Sequence, residues 1–141
     1  MDSSYVIPAG AGIGHVHLKV TDIKRSLDFY CGLLGFELVT MYGEQAAFIS
    51  AGGYHHHIGL NTWYSKGTHP APVRSAGLFH VAILYPTRKD LAHIYNRLAD
   101  AGYPFTGFAD HGVSEALYLN NPDANTVFPQ RMVVDYVRVY Q

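Results

Sequence analysis

The sequence holds a single cysteine, Cys31, so no internal disulfide framework can brace it. Charged residues make up only 15% of the chain and the formal net charge is −1. That balance removes the electrostatic case for binding nucleic acid or an anionic membrane surface. No window stays apolar for the roughly 18 residues that a membrane span needs. The opening MDSSYVIPAGAGIG lacks a basic stretch followed by an apolar run, so no signal peptide is expected and a soluble cytoplasmic protein is the default. What is present suffices for one domain with a real core: 141 residues, 48% of them hydrophobic. The residue in excess is histidine, nine against ten Lys plus Arg. Histidine is a common metal ligand and the side chain that titrates near neutrality.

The chain reads as two copies of one unit. GHVHLKVTD (14–22) alternates as a strand, and IKRSLDFYCGLLG (23–35) places Ile23, Leu27, Tyr30 and Leu34 at helical spacing. FELVTMY, QAAFIS and HHIGLNTW follow as short strands between glycine-containing turns. The second half repeats the order. LFHVAILY (78–85) reads as a strand, TRKDLAHIYNRLADAG (87–102) as a helix capped by Thr87, and PFTGFA, EALYLN and RMVVDYVRVY as strands. His15, Tyr30 and Leu33 recur 65 positions on as His80, Tyr95 and Leu98. The expected fold is α+β, a single domain of two βαβββ modules at about 12–63 and 77–140, joined by a 64–76 linker. The modules would form a curled mixed sheet around a central cavity.

Several histidines invite a chemical reading. His15 and His80 hold equivalent positions, and an internal repeat can bring such positions together near its pseudo-twofold axis; imidazole suits Fe, Zn, Mn, Ni and Cu alike. Against this stands the plain reading of each as a satisfied core or edge histidine. His17 follows His15 on the same face, where packing is the simpler role. In GGYHHHIGLN (52–61), alternation sends His55 and His57 to one face and His56 to the other, so the three cannot share one metal. Pattern alone does not say which face is inward. His111 falls in a loop and Tyr118 in the strand after it. Eleven tyrosines, seven phenylalanines and the one tryptophan, Trp63, would suit a cleft for planar ligands.

Together, GHVHLKVTDIKRSLDFYCGLLGFE, AFISAGGYHHHIGLNTW, LFHVAILYPTRKDLAHIYNRL and DHGVSEALYLNNPDAN resemble the vicinal oxygen chelate superfamily. That group includes glyoxalase I, bleomycin-resistance proteins and extradiol (catechol-cleaving) dioxygenases, and the last three stretches look most like catechol-2,3-dioxygenase-type members. The resemblance implies a divalent metal, Fe(II) first, with Mn(II), Zn(II) or Ni(II) as alternatives, held by His15 and His80. It puts an acid–base histidine at His57, or at His56 if the register slips by one. It also makes His111 and Tyr118 substrate-contacting catalytic residues and implies a homodimer.

One piece departs from the pattern. The family's turn precedes a strand with a glutamate ligand; here NPDAN is followed by TVFPQRM, and that position falls on Phe128. Phenylalanine cannot ligate a metal, and Pro129 would interrupt a central strand. The two-histidine, one-carboxylate triad is broken. His15, His80 and His57 are left as a three-histidine set, with Asp135 and Glu115 as weak carboxylate candidates. The residues from Phe128 onward instead resemble the closing strand of laminarinase-type β-glucanases, but no carboxylate cluster accompanies them, so no sugar chemistry is inferred. Three readings follow: a metal-dependent dioxygenase-like enzyme cleaving a small aromatic diol with O2; a metal-free binding protein that sequesters an aromatic or antibiotic ligand; and a glyoxalase-like lyase or isomerase. The first is expected, with His56, Trp63 and Phe128 lining the substrate.

Overall fold

Strand alternation sets the architecture, because it gives each sheet one face to bury and one to leave open. The computed structural model describes residues 4–69, 76–120 and 131–137, the last stretch as backbone. Pro122, Phe128 and Pro129 lie outside the described residues, as do residues 70–75 of the 64–76 connector. The first unit runs β1 (Val16–Lys19), α1 (Ile23–Leu27) with a π-helical continuation (Asp28–Leu33), β2 (Glu37–Tyr42), β3 (Ala46–Ser50) and β4 (Ile58–Asn61). The second runs β5 (His80–Leu84), α2 (Arg88–Asp100), β6 (Phe105–Asp110), β7 (Ser114–Asn120) and β8 (Arg131–Val137).

Each unit is a four-stranded mixed sheet, ordered β1-β4-β3-β2 and β5-β8-β7-β6. In each, the first strand pairs parallel with the last and the other pairings are antiparallel. The fold is α+β with curled mixed sheets. The unusual tail supplies β8, which fills the slot between β5 and β7.

The helices form where the sequence caps them. Asp22 Oδ1 accepts from Arg25 N–H at 3.0 Å and Thr87 Oγ1 from Asp90 N–H at 3.1 Å. The first helix differs from its expected α form in its second half. Leu34 N–H bonds Phe29 O, an i→i−5 step, and the chain leaves through Gly35 at φ +87°. The wider turn lets the adjacent Phe29 and Tyr30 both sit in the core. Apolar spacing cannot tell this turn from an α-helical one.

One apolar layer joins the units. It gathers Leu18 and Val20 of the first strand segment, Ile58 and Leu60 of β4, Leu91, Ile94 and Leu98 of α2, and Leu117 and Leu119 of β7. Phe29 and Tyr103 add a ring contact across the units at 5.2 Å. At the edge of this layer Arg97 of α2 reaches the first unit. Its Nε donates to Leu33 O at 2.7 Å and its Nη2 to Gly32 O at 2.6 Å, satisfying carbonyls at the end of the first helix. Arg97→Ala is expected to cost about 1 kcal/mol, since charge-assisted bonds are strong but these are exposed. Thermal unfolding should show a fall of roughly 3–4 °C, with partial recovery in Arg97→Lys; an unchanged midpoint would remove Arg97 as a coupling between the units.

Candidate functional site

The face of each sheet turned away from the apolar layer carries the candidate residues. In the first sheet, register aligns His17 with Gly59, Gly59 with Phe48, and Phe48 with Thr40. This row lies opposite Leu18, Leu60 and Ala47, which are buried. A Cβ built on Gly59 would lie 2.9 Å from His17 Cγ, so the imidazole rests on bare backbone. His17 then packs against Phe48 at 5.7 Å and Trp63 at 5.6 Å between ring centroids. Packing, rather than ligation, is thus the visible role of His17, and Phe48 joins Trp63 in an aromatic wall. Sequence reasoning did not single out Phe48. A glycine inside an apolar strand was the available signal for such a close approach.

The histidine trio does not follow strand alternation, because it precedes β4 in an irregular turn. His56 packs on His15 at 4.4 Å and on Phe48 at 5.0 Å. His55 also reaches His15, at 6.2 Å. The Nδ1 atoms of His55 and His56 are 2.8 Å apart, so one of them carries a proton and donates to the other. His57 is tied into the turn. Its backbone N–H bonds Ile49 O at 2.9 Å, and its Nδ1 accepts from Ala51 N–H at 3.2 Å with Ser50 Oγ at 3.0 Å. An accepting Nδ1 puts the ring proton on Nε2. That geometry favours His57 as a hydrogen-bond donor over His57 as a metal ligand. Ser50 and Ala51, which set this tautomer, had no signature in the sequence.

In the second sheet, His80, Ala82 and Leu84 alternate with Val81 and Ile83, and only the latter pair packs against the core. His80 is exposed on the open face, with Phe79 beside it at 5.6 Å. Tyr118 shares that face, its ring over Gly107 of β6. His111 Nε2 stands 3.5 Å from Tyr118 Oη, at the outer edge of hydrogen-bonding distance. His111 is held by its backbone N–H to Ser114 O at 2.8 Å, and Asp110 Oδ1 accepts from Gly112 N–H in the same turn.

The structure therefore brings His15 to His56 and His55, and His111 to Tyr118. Among the described residues no ring contact or hydrogen bond joins His15 to His80 or His57 to either, although His15 and His57 border one cleft. Among the described residues, no three His, Cys, Asp or Glu side chains are grouped to hold a metal ion. Glu115 faces α2 and pairs with Arg88 at 2.7 Å, far from a ligand role. Asp135 lies on β8, opposite Ala116 and Leu84 in register. A cleft of about 400 Å³ does open between the units, bordered by His15, His57, Phe36, Val81 and Ile83. Its walls are mainly apolar.

Known proteins agree with this architecture. Residues 12–127 match the Glyoxalase/Bleomycin resistance protein/Dioxygenase superfamily, and the chain belongs to it. It is 44% identical over 98 residues to a catechol-2,3-dioxygenase from Bacillus subtilis (strain 168), covering 69% of this chain and 34% of that protein. It is 29% identical over 116 residues to biphenyl-2,3-diol 1,2-dioxygenase 3 from Rhodococcus globerulus, covering 82% and 60%. The chain thus spans about a third and three fifths of these relatives' lengths. Among solved structures, a glyoxalase/dioxygenase from Nostoc punctiforme superposes with TM-score 0.74 at 12% identity, covering 99% of both chains. A superfamily domain from Frankia sp. EAN1pec gives 0.72 at 21%, covering 93% and 95%. No helix among the described residues is long and apolar enough to cross a membrane.

Crowding of imidazoles has an electrostatic consequence. Burial first, then His15, lowers the pKa of His17 below 6.5. Burial, then His15, His55 and His17, lowers that of His56, against a smaller opposing hydrogen bond to His55. With both folded values below the unfolded one, the native state binds fewer protons. Stability from this source is present above about pH 6.5 and is lost as pH falls through the lowered values. The unfolding midpoint should drop on acidification from about pH 7 to 5.5, and a His17→Gln/His56→Gln variant should flatten that drop. An equally steep fall in the variant would place the titrating groups elsewhere.

Proposed function

We propose that the chain is a dioxygenase-like member of its superfamily that binds a small aromatic diol and takes part in its ring cleavage by O2, in the cytoplasm. The observation that carries this reading is the His111–Tyr118 pair on an open sheet face, set in a chain similar to diol dioxygenases. A phenol hydroxyl and an imidazole nitrogen at this separation can grip one diol oxygen from two sides, and such contacts commonly tighten once substrate binds. Tyr118 Oη would donate to the developing phenolate, while His111 Nε2 takes or returns its proton. His57, with its proton on Nε2, is a hydrogen-bond donor for a substrate oxygen in this reading rather than the acid–base group, and His56 and Trp63 supply ring contacts to the substrate.

Relatives named as diol dioxygenases support a divalent metal, and this reading takes Fe(II), with Mn(II), Zn(II) or Ni(II) as alternatives. Within one chain, however, His15, His57 and His80 do not converge, so the donor set does not fit a metal ion as it stands. The wall of His17, Phe48 and Trp63 supports a second reading, in which an aromatic ligand is bound without turnover.

Oxygen uptake with catechol after anaerobic loading with Fe(II) separates the two. Turnover is expected, and Tyr118→Phe or His111→Ala should each lower kcat/KM about 10²-fold. Quenching of Trp63 fluorescence by catechol with no oxygen consumed would overturn the enzyme reading in favour of sequestration.

A further inference from the structure

We infer that the seam between the two units is a binding groove for a linear alkyl chain ending in a carboxylate, with the His57 N–H holding the head. This goes beyond the proposed function. Among the described residues, neither His111 nor Tyr118 borders the seam. His57 is common to both, but the groove stands on its geometry and not on diol chemistry.

Two cavities make up the groove. The cleft of about 400 Å³ that His15 and His57 border adjoins a second of about 240 Å³. Phe36, Ala51, Ile83 and Leu84 line both, so the two run along the same walls. The chain through β5 gives the direction, because Val81 borders the first cavity and Pro86 the second. At about 3.3 Å per residue, that stretch spans up to roughly 17 Å. The volume suits a small molecule, and the shape is elongated. A single ring would fill one cavity and leave the other empty.

Strand position explains why the seam is unfilled. β1 and β5 are the outer strands of their sheets. Val16 of β1, Phe36 just before β2, and Val81 and Ile83 of β5 pack against the shared apolar layer and also border the cleft. All four are half-buried, so their outer sides continue the core surface into open space. An alkyl chain laid along them would complete their burial, and burial of apolar area is the dominant favourable term in association.

The polar groups choose the head. Among the described residues, no Asp, Glu, Lys or Arg side chain borders either cavity, so no wall charge repels an anion or attracts a cation. His15 and His57 border the first cavity and Tyr85 the second. Because Ala51 N–H occupies His57 Nδ1 at 3.2 Å, the ring offers a fixed Nε2–H donor. A carboxylate accepting from it forms a charge-assisted hydrogen bond.

Calorimetric titration of the full chain with straight-chain carboxylates, below the concentrations at which they form micelles, tests this without metal, oxygen or catechol. One dodecanoate per chain is expected, with a negative heat-capacity change. From hexanoate to decanoate the affinity should rise about fourfold per added methylene. Dodecyltrimethylammonium has the same chain but a cationic head with no acceptor, and should bind roughly tenfold more weakly. Leu84→Glu sets a carboxylate beside both cavities from an exposed position and should weaken dodecanoate by about the same factor. No dodecanoate binding, an affinity that ignores chain length, or equal binding of the cation would each overturn the inference. So would unchanged binding in a folded Leu84→Glu variant. If that variant fails to fold, the chain-length series and the cation comparison on the unaltered protein still decide.

Discussion

The apolar layer between the two units is the constraint on which the other features depend. It takes one face of β1, β4, β5 and β7 together with both helices, and it closes around Leu98 and Tyr30, which are almost wholly removed from water. Once those faces are committed, alternation decides which strand side chains stay on the open faces. His17 and His80 must point the other way, and so must Phe48 and Tyr118. The histidine-rich surfaces are a consequence of where leucine and isoleucine go.

Much of this was legible in the sequence, because two periodicities write it plainly. Strict alternation in HVHLKV and FHVAIL gave β1 and β5, and the cap at Thr87 gave the start of the second helix, whereas the Asp22 cap was not read from the sequence. The repeat offset links His15, which immediately precedes β1, to His80, the first residue of β5. Two features were not legible. The π-helical turn after Leu27 uses the same apolar spacing as an α-helix and differs only in which carbonyl Leu34 reaches. The His55–His57 trio was read by strand alternation, yet it lies in a turn pinned by the His57 backbone and by Ala51. A local hydrogen bond set those side chains, and no periodicity encodes it. Phe128, the position where sequence shows a lost carboxylate, lies outside the described residues.

The site is therefore best seen as two half-sites with different chemistry. The first is a crowded imidazole surface in which burial, then neighbouring imidazoles, lowers the proton affinity of His17 and His56, backed by Phe48 and Trp63. Neutral imidazoles are the form that binds a divalent ion. The second is a polar pair, His111 and Tyr118, near an exposed His80. Similarity to diol dioxygenases is what supports the shared role proposed for the two surfaces. The fold alone does not, since it serves several chemistries.

Native-state hydrogen exchange tests the dependence on the shared apolar layer most directly. Leu98 lies wholly buried in that layer on the second helix. In a Leu98→Ala variant, amide protection of β1 and β4 in the first unit should fall together with that of α2 and β7 in the second. Loss of protection confined to α2 and β7 would contradict a single layer that holds both units.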